Sequence, residues 1–248
     1  MEIPAFKNLY EIKNNIVDLE IVQGNKVIDN LDKITFKKIS FKHKDKIIFN
    51  NLNFEVSRGE KIALLGDTGA GKSTLLDILT NVVKIDSGER LVNNVEYKDI
   101  NFNEFRSKIS YVSQSLPMLD ATIREYFKFY KENIEDGEIS TYLKFMNCDQ
   151  FLKINADILD MYMGDKGMKL SGGQKQKIVL AAALSRKPEI LILDESTNAL
   201  DTNEEEKIMK KISGLNNNIL IHVSHKLRNR EIFDKIYNVE NKTVNNQK

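Results

Sequence analysis

Short apolar runs alternate with stretches of helical spacing along most of this 248-residue chain. From Ile34, the segments "ITFKKISF" and "NLNFEV" read as strands, "SRGE" as a turn, and "KIALLG" as a short apolar run. "KISYVSQ", "EILILDE" and "NILIHVS" have the same character as that run. Runs of this length suit strands covered on both faces, as in a parallel sheet. Between them, "GKSTLLDILT" sets Leu75, Ile78 and Leu79 on one helical face, as a crossover helix requires. The segment from Thr122 to Asn155 carries two helical stripes: Ile123, Tyr126, Phe127 and Tyr130, then Ile139, Tyr142, Leu143 and Met146. That aromatic and Met spacing reads as helix-packing core rather than a cofactor box. The pattern therefore predicts an α/β fold, with a mostly parallel sheet, antiparallel strands near its start and a helical insertion in its middle. Residues up to about Asp32 are weakly patterned and read as a lead-in.

Composition narrows the classes of function. Lys plus Arg at 37 against Asp plus Glu at 36 leaves a formal charge of +1, so no nucleic-acid partner is implied. Cys148 is the sole cysteine, which excludes an internal disulfide and a cysteine-rich metal site and suits a reducing compartment. It reads as a small buried side chain. The start "MEIPAFKNLYEIKNN" has no apolar core of signal-peptide length, and no uncharged apolar run reaches membrane-spanning length. The chain as given is expected to be soluble.

The chemistry is concentrated in two places. "GDTGAGKS" fits G-x-x-x-x-G-K-[ST] between a predicted strand and a predicted helix. Its glycines let backbone N–H groups curl around phosphate oxygens without a Cβ in the way, and the helix start adds unpaired donors. Gly66, Asp67, Thr68, Gly69, Ala70, Gly71, Lys72, Ser73 and Thr74 make up this cradle, with Lys72 expected on the β- and γ-phosphates and Ser73 on Mg²⁺. In "EILILDES", four apolar residues deliver Asp194 to the carboxyl end of a strand, where α/β sheets bind ligands. Asp194 is placed to hold Mg²⁺ and Glu195 to polarise an attacking water. ATP and Mg²⁺ are the expected ligands.

"LSGGQKQK", Leu170 to Lys177, is a second glycine-rich segment opening a helix. With it, the chain from about Ile34 to the C-terminus resembles the nucleotide-binding domain of ABC transporters, whose signature is LSGGQ. Ser171, Gly172 and Gly173 form another anion-binding helix start, followed by Gln174. The resemblance implies a P-loop NTPase core over residues 34–248, with a helical subdomain at about 115–172 and a lead-in at 1–33. It implies head-to-tail pairing with a second nucleotide-binding domain, identical or diverged, so that the signature of one closes on the ATP held by the other.

Further positions match the family in order. Gln114 looks like the glutamine that senses Mg²⁺ and the attacking water. Asp201, in "NALD", looks like the D-loop aspartate facing the partner, and His225 looks like the switch histidine at the γ-phosphate. His222, on the same strand, has no matching role and reads as a satisfied core or surface histidine. His43 stands where the family usually has a tyrosine stacked on adenine; imidazole can stack, with a smaller face. Lys175, Lys177, Ala182 and Asn198 depart from the family's common arginines and serine without touching the bond-breaking groups.

"TIREYF" and "GDKGMKLSGGQ" resemble exporter stretches, the second with Asp165 where motion passes to the membrane half. The resemblance implies an ATPase at the cytoplasmic face of the membrane, coupled to the transmembrane domain of an exporter in the same or a separate chain. "PAFKNLYEIKNN" looks like the linker after a last membrane helix, which favours a domain cut from a longer exporter. The competing readings are a soluble ABC ATPase acting on ribosomes or DNA, and an importer subunit.

Overall fold

The computed structural model describes residues 24–113, 115, 118–153, 157–164, 167, 169–225, 227, 229–240 and 242–246. β1 (Lys33–His43) and β2 (Lys46–Ser57) form an antiparallel hairpin, with Lys33 opposite Ser57 and His43 opposite Lys46. β3 (Lys61–Leu65) leaves the hairpin for a second sheet, while β4 (Ser87–Val92) and β5 (Val95–Glu96) return to the first. The first sheet has the order β2-β1-β4-β5 and is antiparallel throughout.

The second sheet adds β6 (Ile109–Val112), β7 (Ile190–Asp194), β8 (Ile219–Val223), β9 (Lys235–Glu240) and β10 (Thr243–Asn246). Its order is β10-β9-β3-β8-β7-β6, parallel except where β10 folds back on β9. This is the mostly parallel α/β core with an early antiparallel sheet that the apolar runs predict. β3, β7 and β8 are apolar at nearly every position because alternate residues enter different cores. Ile62, Leu64, Ile190 and Ile192 face one core, and Ala63, Leu191 and Leu193 face the other.

Helices cover the two faces separately. α1 (Lys72–Leu79) follows β3 and buries Leu75, Leu76, Ile78 and Leu79 in the first core, beside the antiparallel sheet and the short helix α2 (Phe102–Ser107). α3 (Ile123–Tyr130), α4 (Asp136–Phe145) and α5 (Gly172–Ser185) build the second core. α3 starts at Thr122 through a capping box: the Thr122 hydroxyl accepts from the Glu125 N–H at 3.2 Å, and the Glu125 carboxylate accepts from the Thr122 N–H at 2.8 Å. Ile123, Tyr126 and Phe127 are buried, as are Ile139, Leu143 and Met146, so both helical stripes are core. α6 (Thr202–Ser213) adds Ile208, Met209 and Ile212 to the same core.

Residues 24–32, expected as lead-in, pack on the domain. Gly24 and Lys26 bond the Asp99–Ile100 backbone, and Ile28 and Leu31 enter the first core. Asparagine, plentiful in the sequence, serves turns: Asn93 and Asn94, both at positive φ, close the β4–β5 hairpin. Cys148 is buried as expected, and burial pushes its thiol up to about 12. His222 is core, yet not satisfied. It stacks on Phe233 at 5.7 Å, its Nδ1 has no hydrogen-bond partner among the described residues, and burial lowers its imidazole to about 4. Among the described residues, no helix is long and apolar enough to cross a membrane.

Candidate functional site

The phosphate loop leaves the carboxyl end of β3 and turns into α1. Gly66, Gly69 and Gly71 lie at φ +142, +81 and +113, a region that side chains with a Cβ rarely enter. A Cβ on Gly66 would stand 2.5 Å from the Val239 carbonyl oxygen, and one on Gly71 would stand 3.0 Å from the Phe49 ring. β9 and β2 thus press on the loop from outside. Lys72 is buried, with its ammonium donating to the carbonyls of Gly66 at 2.6 Å and Asp67 at 3.0 Å. α1 has no side-chain cap at Gly71, so its first N–H groups are left to a ligand or water.

Asp194 and Glu195 follow at the end of β7. The Tyr111 hydroxyl, from the neighbouring β6, donates to Asp194 Oδ2 at 2.6 Å. Burial first, then this bond to a carboxylate, holds the Tyr111 phenol above the ordinary tyrosine range. Asp77, on α1, has its carboxyl raised by burial and by the neighbouring Asp194 charge. Glu195 adopts φ +51, and its N–H donates to the Val223 carbonyl at 3.2 Å. A non-glycine residue at positive φ is uncommon, and such strain collects at working sites. The turn brings the Glu195 carboxylate within 2.6 Å of His225 Nε2, on the loop that follows β8. Four residues predicted at separate points of the sequence, Lys72, Asp194, Glu195 and His225, therefore sit at the carboxyl ends of three adjacent strands.

The donors suit Mg²⁺. Ser73, exposed at the start of α1, and Asp194 offer hard oxygen atoms. Among the described residues no cluster of three His, Cys, Asp or Glu could cage a metal. A cation held by one carboxylate, a hydroxyl and substrate phosphates is the arrangement magnesium prefers. Gln114, expected to complete that set, lies outside the described residues, as does Asp165.

The second glycine segment is on the other side of the sheet. Ser171 caps α5: its hydroxyl accepts from the Gln174 N–H at 3.3 Å, and the Gln174 side chain accepts from the Ser171 N–H at 2.9 Å. A Cβ on Gly172 would meet the Ala199 Cβ at 3.3 Å, and one on Gly173 the Ala199 carbonyl at 3.2 Å. Gln176 accepts from the Ala199 N–H at 3.1 Å, tying α5 to the loop after β7. On that loop Asp201 caps α6, accepting from the Glu204 N–H at 2.9 Å, and Lys177 pairs with Glu204. A cleft of about 390 Å³ lined by Asn198, Asp201, Glu205, Ser224 and His225 lies between this loop and the end of β8. A larger cavity, about 600 Å³, lies among Arg58, Tyr142, Phe145 and Lys187 at the opposite, amino ends of the strands, away from the phosphate loop.

His43 is exposed at the end of β1, in the hairpin whose Ile48 and Phe49 abut Gly71. Sequence reasoning missed Tyr111, because a tyrosine inside the strand segment "KISYVSQ" looks like any β-former. It also missed Asp77, which sits on the polar side of an amphipathic helix.

The model of the ABC transporter family matches residues 49–198. The chain is 37% identical over 220 residues to the ATP-dependent permease MDL1 of Candida albicans, covering 86% of this chain and 32% of that one. It is 34% identical over 230 residues to the ABC multidrug transporter mdr2 of Aspergillus fumigatus, covering 91% and 29%. Among solved structures it is similar to a bacterial Atm1-family ABC exporter with ATP bound, at a TM-score of 0.81 and 27% identity, over 92% of this chain and 40% of that one. The chain spans less than half the length of these relatives.

Proposed function

The chain belongs to the ABC transporter family, and from that premise we propose that it is the ATP-hydrolysing motor of an exporter, working at the cytoplasmic face of a membrane. Residues 34–248 form the motor, and residues 115–172 form its helical subdomain. The observation that carries the hydrolytic reading is the Glu195 carboxylate, fixed at φ +51 and bonded to His225 beside the phosphate loop.

In this reading the loop from Gly66 to Thr74 wraps the phosphates with its backbone N–H groups, and Lys72 exchanges its carbonyl partners for β- and γ-oxygens. Ser73, Asp194 and Gln114 hold Mg²⁺, which when bound neutralises charge on the phosphates. Glu195 accepts a proton from the water whose oxygen attacks the γ-phosphorus. The bond to the β–γ bridging oxygen breaks, and its electron pair leaves with ADP. His225 keeps the Glu195 carboxylate oriented and reaches toward the γ-phosphate, while His43 lies against the adenine. A general base of this kind contributes about 10²- to 10⁴-fold in rate.

The signature residues Ser171, Gly172, Gly173 and Gln174, with Asp201, act on the nucleotide of a second motor domain, identical or diverged. α1 and α5 cover opposite faces of one sheet, so the two glycine-rich helix starts of one chain approach different phosphates. Closure of that pair on two ATP, and reopening after hydrolysis, drives a transmembrane domain in the same or a separate chain. That the similar solved structure is an exporter favours this over an importer subunit, and the +1 charge disfavours a ribosome or DNA partner. Phosphate release by Glu195→Gln tests the reading: a fall of at least about 100-fold with ATP binding retained is expected. An unchanged rate contradicts it.

A further inference from the structure

We infer that Tyr111 is a positioning residue for the metal: its hydroxyl fixes the Asp194 carboxylate so that one oxygen is presented to Mg²⁺. The inference rests on the reading of Asp194 as the carboxylate on the metal side of the site. β6 and β7 are parallel neighbours, with Tyr111 paired to Ile192, two residues before Asp194. Ile109, Ile190 and Ile192 face the first core, and alternation puts the side chains of Tyr111 and Asp194 on that same face. There the phenol reaches Oδ2 at 2.6 Å, within the short range of a hydrogen bond to an ionised acceptor.

A carboxylate at the end of a strand is not oriented by its own torsion, because the last angle of an aspartate side chain is broad and two-fold. Asp77 aggravates this, since the two acidic groups lie near each other on the α1 side. The phenol occupies Oδ2, and among the described residues Oδ1 has no hydrogen-bond partner. Covering the sheet edge does not require this group: Tyr111 is 38% exposed, and a phenylalanine ring covers the same area. The hydroxyl is the part that the packing does not use.

Outer partners of metal ligands commonly change metal affinity 10- to 100-fold when removed. The test is Mn²⁺ binding, followed by the paramagnetic signal of the free ion, to the full chain saturated with a non-hydrolysable ATP analogue. Tyr111→Phe is expected to weaken Mn²⁺ binding about tenfold. Metal-free binding of the analogue and the thermal midpoint are expected to be unchanged, effects that a loss of packing would not spare. Asp194→Asn sets the scale. If it loses Mn²⁺ affinity while Tyr111→Phe keeps it, the inference about Tyr111 is overturned and the reading of Asp194 stands. If neither substitution changes Mn²⁺ affinity, the reading of Asp194 falls, and the inference with it.

Discussion

The phosphate loop and the second glycine segment both open helices, but glycine serves a different end in each. At the loop, the backbone itself demands it: Gly66, Gly69 and Gly71 all lie at positive φ, and α1 begins with no side-chain cap. At Gly172 and Gly173 the backbone is ordinary, and Ser171 with Gln174 caps α5 in the usual way. Here glycine is needed because Ala199 stands 3.2 to 3.3 Å from where a Cβ would be. The loop is a finished cradle with its lysine already folded in. The signature is a flat, tightly seated helix start, tied to the loop after β7 and turned to the other face of the sheet. On the proposed reading, the strained concavity binds alone and the seated edge needs a second surface to complete it.

The comparison can be broken most forcefully at Gly66. Gly66→Ala places a Cβ 2.5 Å from the Val239 carbonyl, at a φ that alanine rarely adopts, so the loop must move. Losing one backbone hydrogen bond to a charged phosphate costs about 1.5–3 kcal/mol, so ATP affinity measured by equilibrium titration is expected to fall about 10- to 100-fold. Gly173→Val sharpens the contrast from the other side. Overpacking against Ala199 costs about 1–3 kcal/mol of fold stability and shifts the signature, so hydrolysis is expected to fall while ATP binding to the isolated chain is unchanged. Equal loss of binding in the two variants would erase the distinction. The smallest effect belongs to Ser171→Ala, which removes a helix cap and is expected to lower the stability of the fold by about 1 kcal/mol in denaturant titration.

Both segments were legible in the sequence because glycine at fixed spacing beside a lysine or a serine leaves few alternatives. The sheet was legible for a similar reason. "KIALLG", "EILILDE" and "NILIHVS" are apolar at successive positions, which suits a strand covered on both faces, and β3, β7 and β8 are buried in that way. β4, with the surface pattern of "SGERLV", has no such signature, and β5 is two residues long. Ile28, next to the exposed Val27, and Leu31 are sparse apolar residues in a polar stretch that is held against the Asp99–Ile100 segment far along the chain. Tyr111 and Asp77 follow the same rule. Their meaning comes from standing beside Asp194, a proximity set by strand order rather than by spacing. That the Nδ1 of His222 has no hydrogen-bond partner among the described residues is likewise a property of its neighbours.

The central claim is that the two glycine-rich helix starts of one chain serve different nucleotides. It is tested most directly by the mass in solution of Glu195→Gln, measured by light scattering with and without saturating ATP and Mg²⁺. Blocked hydrolysis traps the closed pair, so the mass is expected to double from the 28.5 kDa of one chain when ATP and Mg²⁺ are present. A mass that stays at 28.5 kDa while ATP is bound would contradict the claim in the form in which two copies of this chain pair.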